Sequence, residues 1–356
     1  LAIIILIGAA LCAAVYYSPA YFMPAEPKDL PAGRLQVGGT SAAQFLMDNH
    51  WGSAYRKTKN VQVAYESTGS TQGVDRMIEG QFSVGFTHAP LTDEQRQAAE
   101  KKGGPVLHIP VVICSVIPIY NLKMLKDSPP LKLTGELLAD IFLGKITRWN
   151  DPALRQLNEG VELPDMSIAV VHRADSSGTT FVFTDYLNRV SEAWRKQVGA
   201  AGNKINWPVG EGKDRNYGVA AQVYLTDGAI GYVDGLFAGY GDLKHAAVRN
   251  ADGDNFVHAD HANMTAALQG PLGTSSDDLT FSLTNRPGRN AYPICGCVWA
   301  VCFQRQPSAR KTSVQEFLTW LVHDGQKFPR GAAFAPLPES VVKRAEQKIA
   351  TITATQ

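Results

Sequence analysis

Between His172 and Thr180 the chain reads His-Arg-Ala-Asp-Ser-Ser-Gly-Thr-Thr, which places a guanidinium, a carboxylate, several hydroxyls and a glycine in one short stretch. That set of groups suits an oxyanion. Backbone N–H groups at a helix start lack internal partners and lie at the positive end of the helix dipole. An anion placed there is held by the backbone together with Ser177 and Thr179. Arg173 adds a planar, permanently charged fork, and Asp175 can hold that fork in place. The same residues also suit an ordinary serine cap beside an Arg–Asp surface pair, so the turn alone leaves both readings open. A hydrolase is a third reading, because Ser177 with His88 or His172 and Asp175 supplies the residue types of a catalytic triad. Against it, Asp175 shares its turn with Arg173, the chain has no G-x-S-x-G elbow, and the metal-ligand cluster usual in phosphomonoester hydrolysis is missing from the motifs.

These groups need a scaffold. The apolar run Ile168 to Val171 predicts a strand that delivers the turn, and the helical pattern resumes at Phe181. Similar units precede it. Arg34 to Val37 leads into Gly38-Gly39-Thr40-Ser41 and a helical run through Trp51. Val61 to Tyr65 leads into the polar turn Ser67 to Gly73 and a helix over Val74 to Glu79. Phe82 to Phe86 ends in Thr87-His88-Ala89-Pro90. Ligands of open α/β sheets bind at the carboxyl ends of strands, so these turns can converge on one crevice. Val106 to Tyr120, interrupted by Pro110 and Pro118, and Tyr292 to Phe303 are long enough to cross between domains. Thr134 predicts a cap for a helix over Gly135 to Phe142, Ala229 to Val233 a strand, and Val314 to His323 a helix. Val209 to Val223 begins as a glycine-rich turn and continues as a helix, but Gly210, Gly212 and Lys213 lack the spacing of a nucleotide loop.

With 356 residues, 45% of them hydrophobic, the chain can bury a large core and two domains are expected. A formal net charge of +1 gives no general affinity for nucleic acid, so an anion must be gripped by local groups. Residues 1–17, LAIIILIGAALCAAVYY, are apolar throughout and read as a signal or anchor helix, with a retained membrane anchor the favoured form. Residues 18–33 carry prolines 19, 24, 27 and 31 and read as a stiff tether. The remainder is expected outside the cytoplasm. Cys114, Cys295, Cys297 and Cys302 are expected as small buried residues, with a disulfide from Cys114 to one of the others as the alternative in an oxidising compartment. A metal site from the last three lacks a fourth ligand, and His258 and His261 are expected in a solvated loop. No cofactor is expected.

The chain resembles the substrate-binding protein of the high-affinity phosphate ABC transporter, the periplasmic phosphate-binding protein family, over about Leu35 to Ala345. The motifs that carry the resemblance are GGTSA at 38–42, YESTGSTQG at 65–73, GFTHAPLTDE at 85–94, DIFLGKITRWNDP at 140–152, AVVHRADSSGTTFVFTDYL at 169–187, WPVGEGKDRNYGVAA at 207–221, GAIGYV at 228–233 and YPI at 292–294. The resemblance implies an α/β, type II periplasmic binding protein fold of two lobes joined by two crossover strands. Residues 34–112 plus 296–356 would form the first lobe and residues 113–295 the second. It further implies phosphate contacts from Thr40, Ser41, Ser70, Arg173, Ser177, Gly178 and Thr179, with Asp175 as partner of the arginine, and no catalysis. Three departures stand beside that site: Ser41 where the family usually has an aromatic, Gln72 where it has glycine, and His88 where it has a carboxylate. The family's carboxylate accepts a hydrogen bond from a protonated phosphate oxygen and repels fully deprotonated anions. The implied function is capture of inorganic phosphate or a related tetrahedral oxyanion for a transporter permease. The alternative is a membrane-anchored accessory subunit of another membrane complex, with anion binding altered or lost.

Overall fold

The computed structural model describes residues 34–355 apart from 238, 254, 271, 273–277 and 329–332. The expected anchor helix of residues 1–17, the tether and Cys12 lie outside the described residues. Among the described residues no helix is long and apolar enough to cross a membrane.

The chain builds a mixed α/β fold around one large sheet. Its main strands are β1 (Arg34–Gly39), β2 (Gln62–Ser67), β3 (Val84–Thr87), β4 (Val106–Asn121), β5 (Ala169–Arg173), β6 (Glu211–Lys213), β7 (Ala229–Asp234) and β8 (Ile294–Phe303). They lie in the order β2-β1-β3-β8-β4-β7-β5-β6. β1 runs parallel to β2 and β3, and β5 runs parallel to β6 and β7. β4 and β8 are antiparallel to each other, and each is antiparallel to its outer neighbour, β7 and β3 respectively.

β4 is buried along nearly all its length, which accounts for its continuous apolar sequence. From Val106 to Ser115 it pairs with β8, and from Val116 to Asn121 it pairs with β7. The two prolines of this stretch, Pro110 and Pro118, are absorbed into the strand. Pro110 sits opposite Trp299, where the register shifts at Val298, so a bulge falls where a donor is missing. Pro118 is in register with Tyr232 and uses its carbonyl to accept from the Ala246 N–H at 3.0 Å.

The helices that matter here are α1 (Ser41–Leu46), α2 (Ser70–Ile78), α3 (Gly178–Val190) and α4 (Arg215–Leu225). A π turn over Met47–Trp51 and a further helix over Gly52–Lys59 prolong α1, matching and exceeding the expected run through Trp51. α2 begins four residues before Val74 and α3 three residues before Phe181, because hydroxyl residues that read as turn are buried in the first helical turns. α2 also packs hard against β1. A Cβ on Gly73 would lie 2.5 Å from the Gly39 Cα, so glycine at that position lets helix and strand touch. The helix Gly135–Phe142 forms as expected, with the Thr134 hydroxyl accepting from Leu137 N. The expected helix at Val314 starts earlier, spanning Ser308–Val322.

The alternative of a disulfide at Cys114 is corrected. Cys114, Cys295, Cys297 and Cys302 are all free and buried. Cys114 pairs in register with Gly296, between Cys295 and Cys297, and strand alternation turns the side chains of those two to the opposite face. Burial pushes the Cys302 thiol up to about 12, as befits an inert core residue. The loop expected around His258 and His261 is corrected in part: His261 opens the short helix His261–Ala266, whose cap is the Asp260 carboxylate accepting from Asn263 N at 2.7 Å.

Candidate anion site

The expected site residues fall into two groups, placed on either side of the β8–β4 pair. The first group follows β1, β2 and β3. Thr40 is buried and caps α1, its hydroxyl accepting from Ala42 N at 3.4 Å, while its carbonyl accepts from the Tyr65 hydroxyl at 2.7 Å. Ser41 is the first residue of α1 and is half-buried. Ser70, the first residue of α2, is 1% exposed, and its hydroxyl accepts from the His88 N–H at 3.3 Å. The preceding Gly69 has φ +88, a conformation that glycine adopts without strain and that turns the chain from β2 into α2.

The second group follows β5. Arg173 ends that strand, buried to 7% exposure, and its backbone N–H donates to the Tyr232 hydroxyl at 3.3 Å. Its guanidinium is held in a two-point pair with Asp175, and Nη1 reaches toward the Thr179 hydroxyl at 3.5 Å. Asp175 also accepts from the Arg215 N–H at 3.0 Å. Burial raises the Asp175 pKa, but the hydrogen bonds and charge of Arg173 outweigh it, so the carboxylate titrates below its ordinary range. Ser177 caps α3 by accepting from Thr180 N at 3.4 Å, and its own N–H donates to the Asn203 carbonyl at 2.7 Å. Gly178 and Thr179 form the first turn of α3, both buried.

The two groups meet. A Cβ on Gly178 would collide with the Ser70 hydroxyl and lie 2.6 Å from both Cβ and Nδ1 of His88. The Thr71 and Ser176 hydroxyls are 2.6 Å apart, and the Asn203 amide donates to Thr71 at 3.2 Å. The N-terminal turns of α2 and α3 therefore face one another at close range, with hydroxyls lining the contact and the Arg173 guanidinium reaching toward Thr179 in the first turn of α3. Such an arrangement can surround a tetrahedral anion with donors from two directions.

Residues outside the expected set complete the wall. Asn216 in α4 is buried, directs its amide toward Thr179 at 3.5 Å and accepts from Asp234 N at 3.1 Å. Asn216 belongs to the DRNYG segment, which burial brings against the first turn of α3. Asp234, one residue beyond the GAIGYV motif, is 1% exposed. Its Oδ2 stands 3.9 Å from His88 Nε2 and its Oδ1 accepts from Leu236 N. Burial pushes Asp234 up to about 7, against the pull of the Leu236 N–H and of Arg173. Burial, and then the Arg173 charge, push His88 down to about 3, so its ring is neutral at neutral pH. Cys114 lies in the same cluster. No motif exposed Asp234 or Cys114 beforehand, since each sits in an apolar strand that reads as core.

The comparisons with known proteins define the class first: a family model for the PBP superfamily domain matches residues 24–324. Among curated relatives, the chain is 35% identical over 309 residues to the phosphate-binding protein PstS of Pasteurella multocida, covering 86% of this chain and 88% of that one. It is 34% identical over 314 residues to PstS of Methanocaldococcus jannaschii, covering 82% and 80%. The chain belongs to the PstS phosphate-binding protein family within that superfamily. Among solved structures, the fold is shared with PfluDING, a high affinity periplasmic phosphate-binding protein bound with phosphate, at TM-score 0.70, 21% identity and coverage of 91% and 99%. It is shared also with the phosphate-binding protein of Stenotrophomonas maltophilia, at TM-score 0.61, 20% identity and coverage of 88% and 93%.

Proposed function

We infer that this chain captures inorganic phosphate, or a closely related tetrahedral oxyanion, outside the cytoplasm and delivers it to an ABC transporter permease. The reading places the anion between two lobes, residues 34–112 plus 296–356 and residues 113–295, with β4 and β8 as the crossover strands. The contacts would come from Thr40, Ser41, Ser70, His88, Ser177, Gly178, Thr179 and Arg173, the last held by Asp175. The observation that carries it is the meeting of Gly178 with Ser70 and His88, which brings the first turns of α2 and α3 together beside a pre-oriented guanidinium. Family membership supports the same reading, and the role it assigns is binding and release without catalysis.

His88 gives the site its own character. A carboxylate at that position only accepts; a neutral imidazole either accepts or donates, according to which nitrogen holds the proton. Selectivity against fully deprotonated anions is therefore weaker than an acceptor-only site would provide. This departure, together with the apolar segment of residues 1–17, favours a second reading, in which the chain is fixed to the membrane and serves another membrane complex. Calorimetric titration of residues 34–356 with phosphate, arsenate and sulfate at two pH values tests the first reading. Saturable binding of at least one anion supports it; absence of binding of all three would reject it. Recovery of a transporter permease with the chain from mild detergent supports delivery, and recovery of an unrelated complex supports the second reading.

A further inference from the structure

His88, Cys114 and Asp234 come from three different strand ends or strands, and each offers one ligand atom within 4.8 Å of the other two. All three are buried, at 2%, 0% and 1% exposure. Both ring nitrogens of His88 lack a hydrogen-bond partner among the described residues, a costly state for a buried polar ring. The separation of His88 Nε2 from Asp234 Oδ2, 3.9 Å, is too long for a hydrogen bond. It is close to the ligand-to-ligand edge of a tetrahedral site, about 3.4 Å for metal bonds of the usual zinc length.

The geometry points to a transition-metal site, suited to Zn2+, at the base of the anion site, with His88 Nε2, Cys114 Sγ and Asp234 Oδ2 as its protein ligands. An imidazole, a thiolate and a carboxylate form a mixed donor set that a borderline-soft divalent ion accepts, whereas a hard cation such as Mg2+ would prefer oxygen alone. Charge supports the same choice. A divalent ion with one thiolate, one carboxylate and one neutral imidazole sums to zero, which a buried position beside Arg173 tolerates far better than a net charge. Binding forms the metal–sulfur, metal–nitrogen and metal–oxygen bonds and releases to solvent the thiol proton and any proton on Asp234. A cavity of about 220 Å3 bordered by Asp185, Ser282 and Thr284 touches His88.

The site also acts on its neighbour, in a step that rests on the proposed anion binding. With a metal on Nε2 the His88 proton must reside on Nδ1, the nitrogen that lies against Gly178. His88 then becomes a donor toward the anion, and a fully deprotonated oxyanion gains from it.

The full chain, purified in detergent, stripped with a chelator and dialysed free of phosphate, is titrated with Co2+. The expected result is one equivalent bound, with a thiolate-to-cobalt charge-transfer band in the near ultraviolet that Zn2+ abolishes. The band is lost in Cys114→Ser and in His88→Gln and kept in Cys302→Ala. Absence of the band in the wild-type chain at large Co2+ excess overturns the site whatever the variants do, and a band that survives Cys114→Ser overturns it as well. Phosphate titration of the same metal-free chain stands apart: phosphate binding without a cobalt band rejects the metal and keeps the anion site, and a cobalt band without phosphate binding does the reverse. If both are present, Zn2+ should raise sulfate affinity relative to phosphate, and an unchanged ratio overturns the tautomer step.

Discussion

Asp175 grips Arg173 at two points, Nε to Oδ1 at 2.7 Å and Nη2 to Oδ2 at 2.6 Å, so the guanidinium is fixed before any ligand arrives. Fixing it beforehand reduces the ordering cost of binding. Arg173→Ala should lower oxyanion affinity by about 2–4 kcal/mol, much of it from groups left without a partner. Asp175→Asn keeps the arginine charge but weakens the grip and should cost about 1–2 kcal/mol. Calorimetry measures both, and wild-type affinity in Arg173→Ala would remove the guanidinium from the site.

Gly178→Ala tests the close approach of the two helix starts. The residue opens a helix, where alanine is intrinsically the better former by about 1 kcal/mol, which offsets part of the cost of a clash. Its Cβ, however, would lie 2.6 Å from the Cβ of His88 and strike the Ser70 hydroxyl. Phosphate affinity should fall at least about tenfold, equivalent to about 1.4 kcal/mol, and the thermal midpoint should fall as well, because the same contacts exist without ligand. An unaltered dissociation constant would mean that the close approach plays no part in the bound state.

His172 sets a pH dependence of stability. Its ring stacks on Trp207 at 4.9 Å, and its Nδ1 lies 3.1 Å from the Arg173 carbonyl. Burial lowers its pKa from 6.5, although the backbone at Arg173 and Gly210 pulls the other way. The unfolded chain therefore takes up a proton that the folded ring refuses, and stability drops as pH falls below the ordinary histidine value. His172→Gln should remove the His172 share of that decline and leave the larger share of His88, read as urea midpoints at about pH 7.5 and about pH 5.5. Equal declines in both proteins would assign the acid sensitivity to other groups.

His88→Asp returns an acceptor-only side chain to the anion site and sets it beside Asp234. Two neighbouring buried carboxyl groups cannot both ionise easily, so one retains a proton and the other carries charge toward the ligand. Phosphate should then be preferred over sulfate by a wider margin than in the wild-type chain, by several kcal/mol of like-charge cost in a desolvated site. Competition titrations decide this, and the same selectivity in both proteins would take His88 out of ligand contact.

Much of this arrangement was legible in the residues. Strand, polar turn and helix recur around Thr40, Ser70 and Ser177, and each of these does open or cap a helix. The boundaries shifted where burial overrode polarity. Thr180 looks like turn, yet its hydroxyl lies 2.6 Å from that of Tyr232 inside the core, so α3 starts before it. Pro110 looked like an interruption, yet β4 runs through it because the partner strand shifts register there. Asp234 and Cys114 were not legible, because their proximity to His88 depends on the order in which β3, β8, β4 and β7 lie side by side. That order is a property of long-range pairing, which no local pattern encodes.

The position of β8 has a consequence for biogenesis. It comes from residues 294–303 yet separates β3, residues 84–87, from β4, residues 106–121, so that about half the chain lies between the strands it joins. The sheet therefore cannot close until residue 303 has been made. Until β8 emerges, the facing edges of β3 and β4 have no native partner, and the polypeptide stays open. Late insertion of a central strand would act as a timing device in any export that requires an unfolded chain. The chain remains fit for translocation through most of its synthesis, and unpaired strand edges are the liability that a holdase chaperone would have to cover.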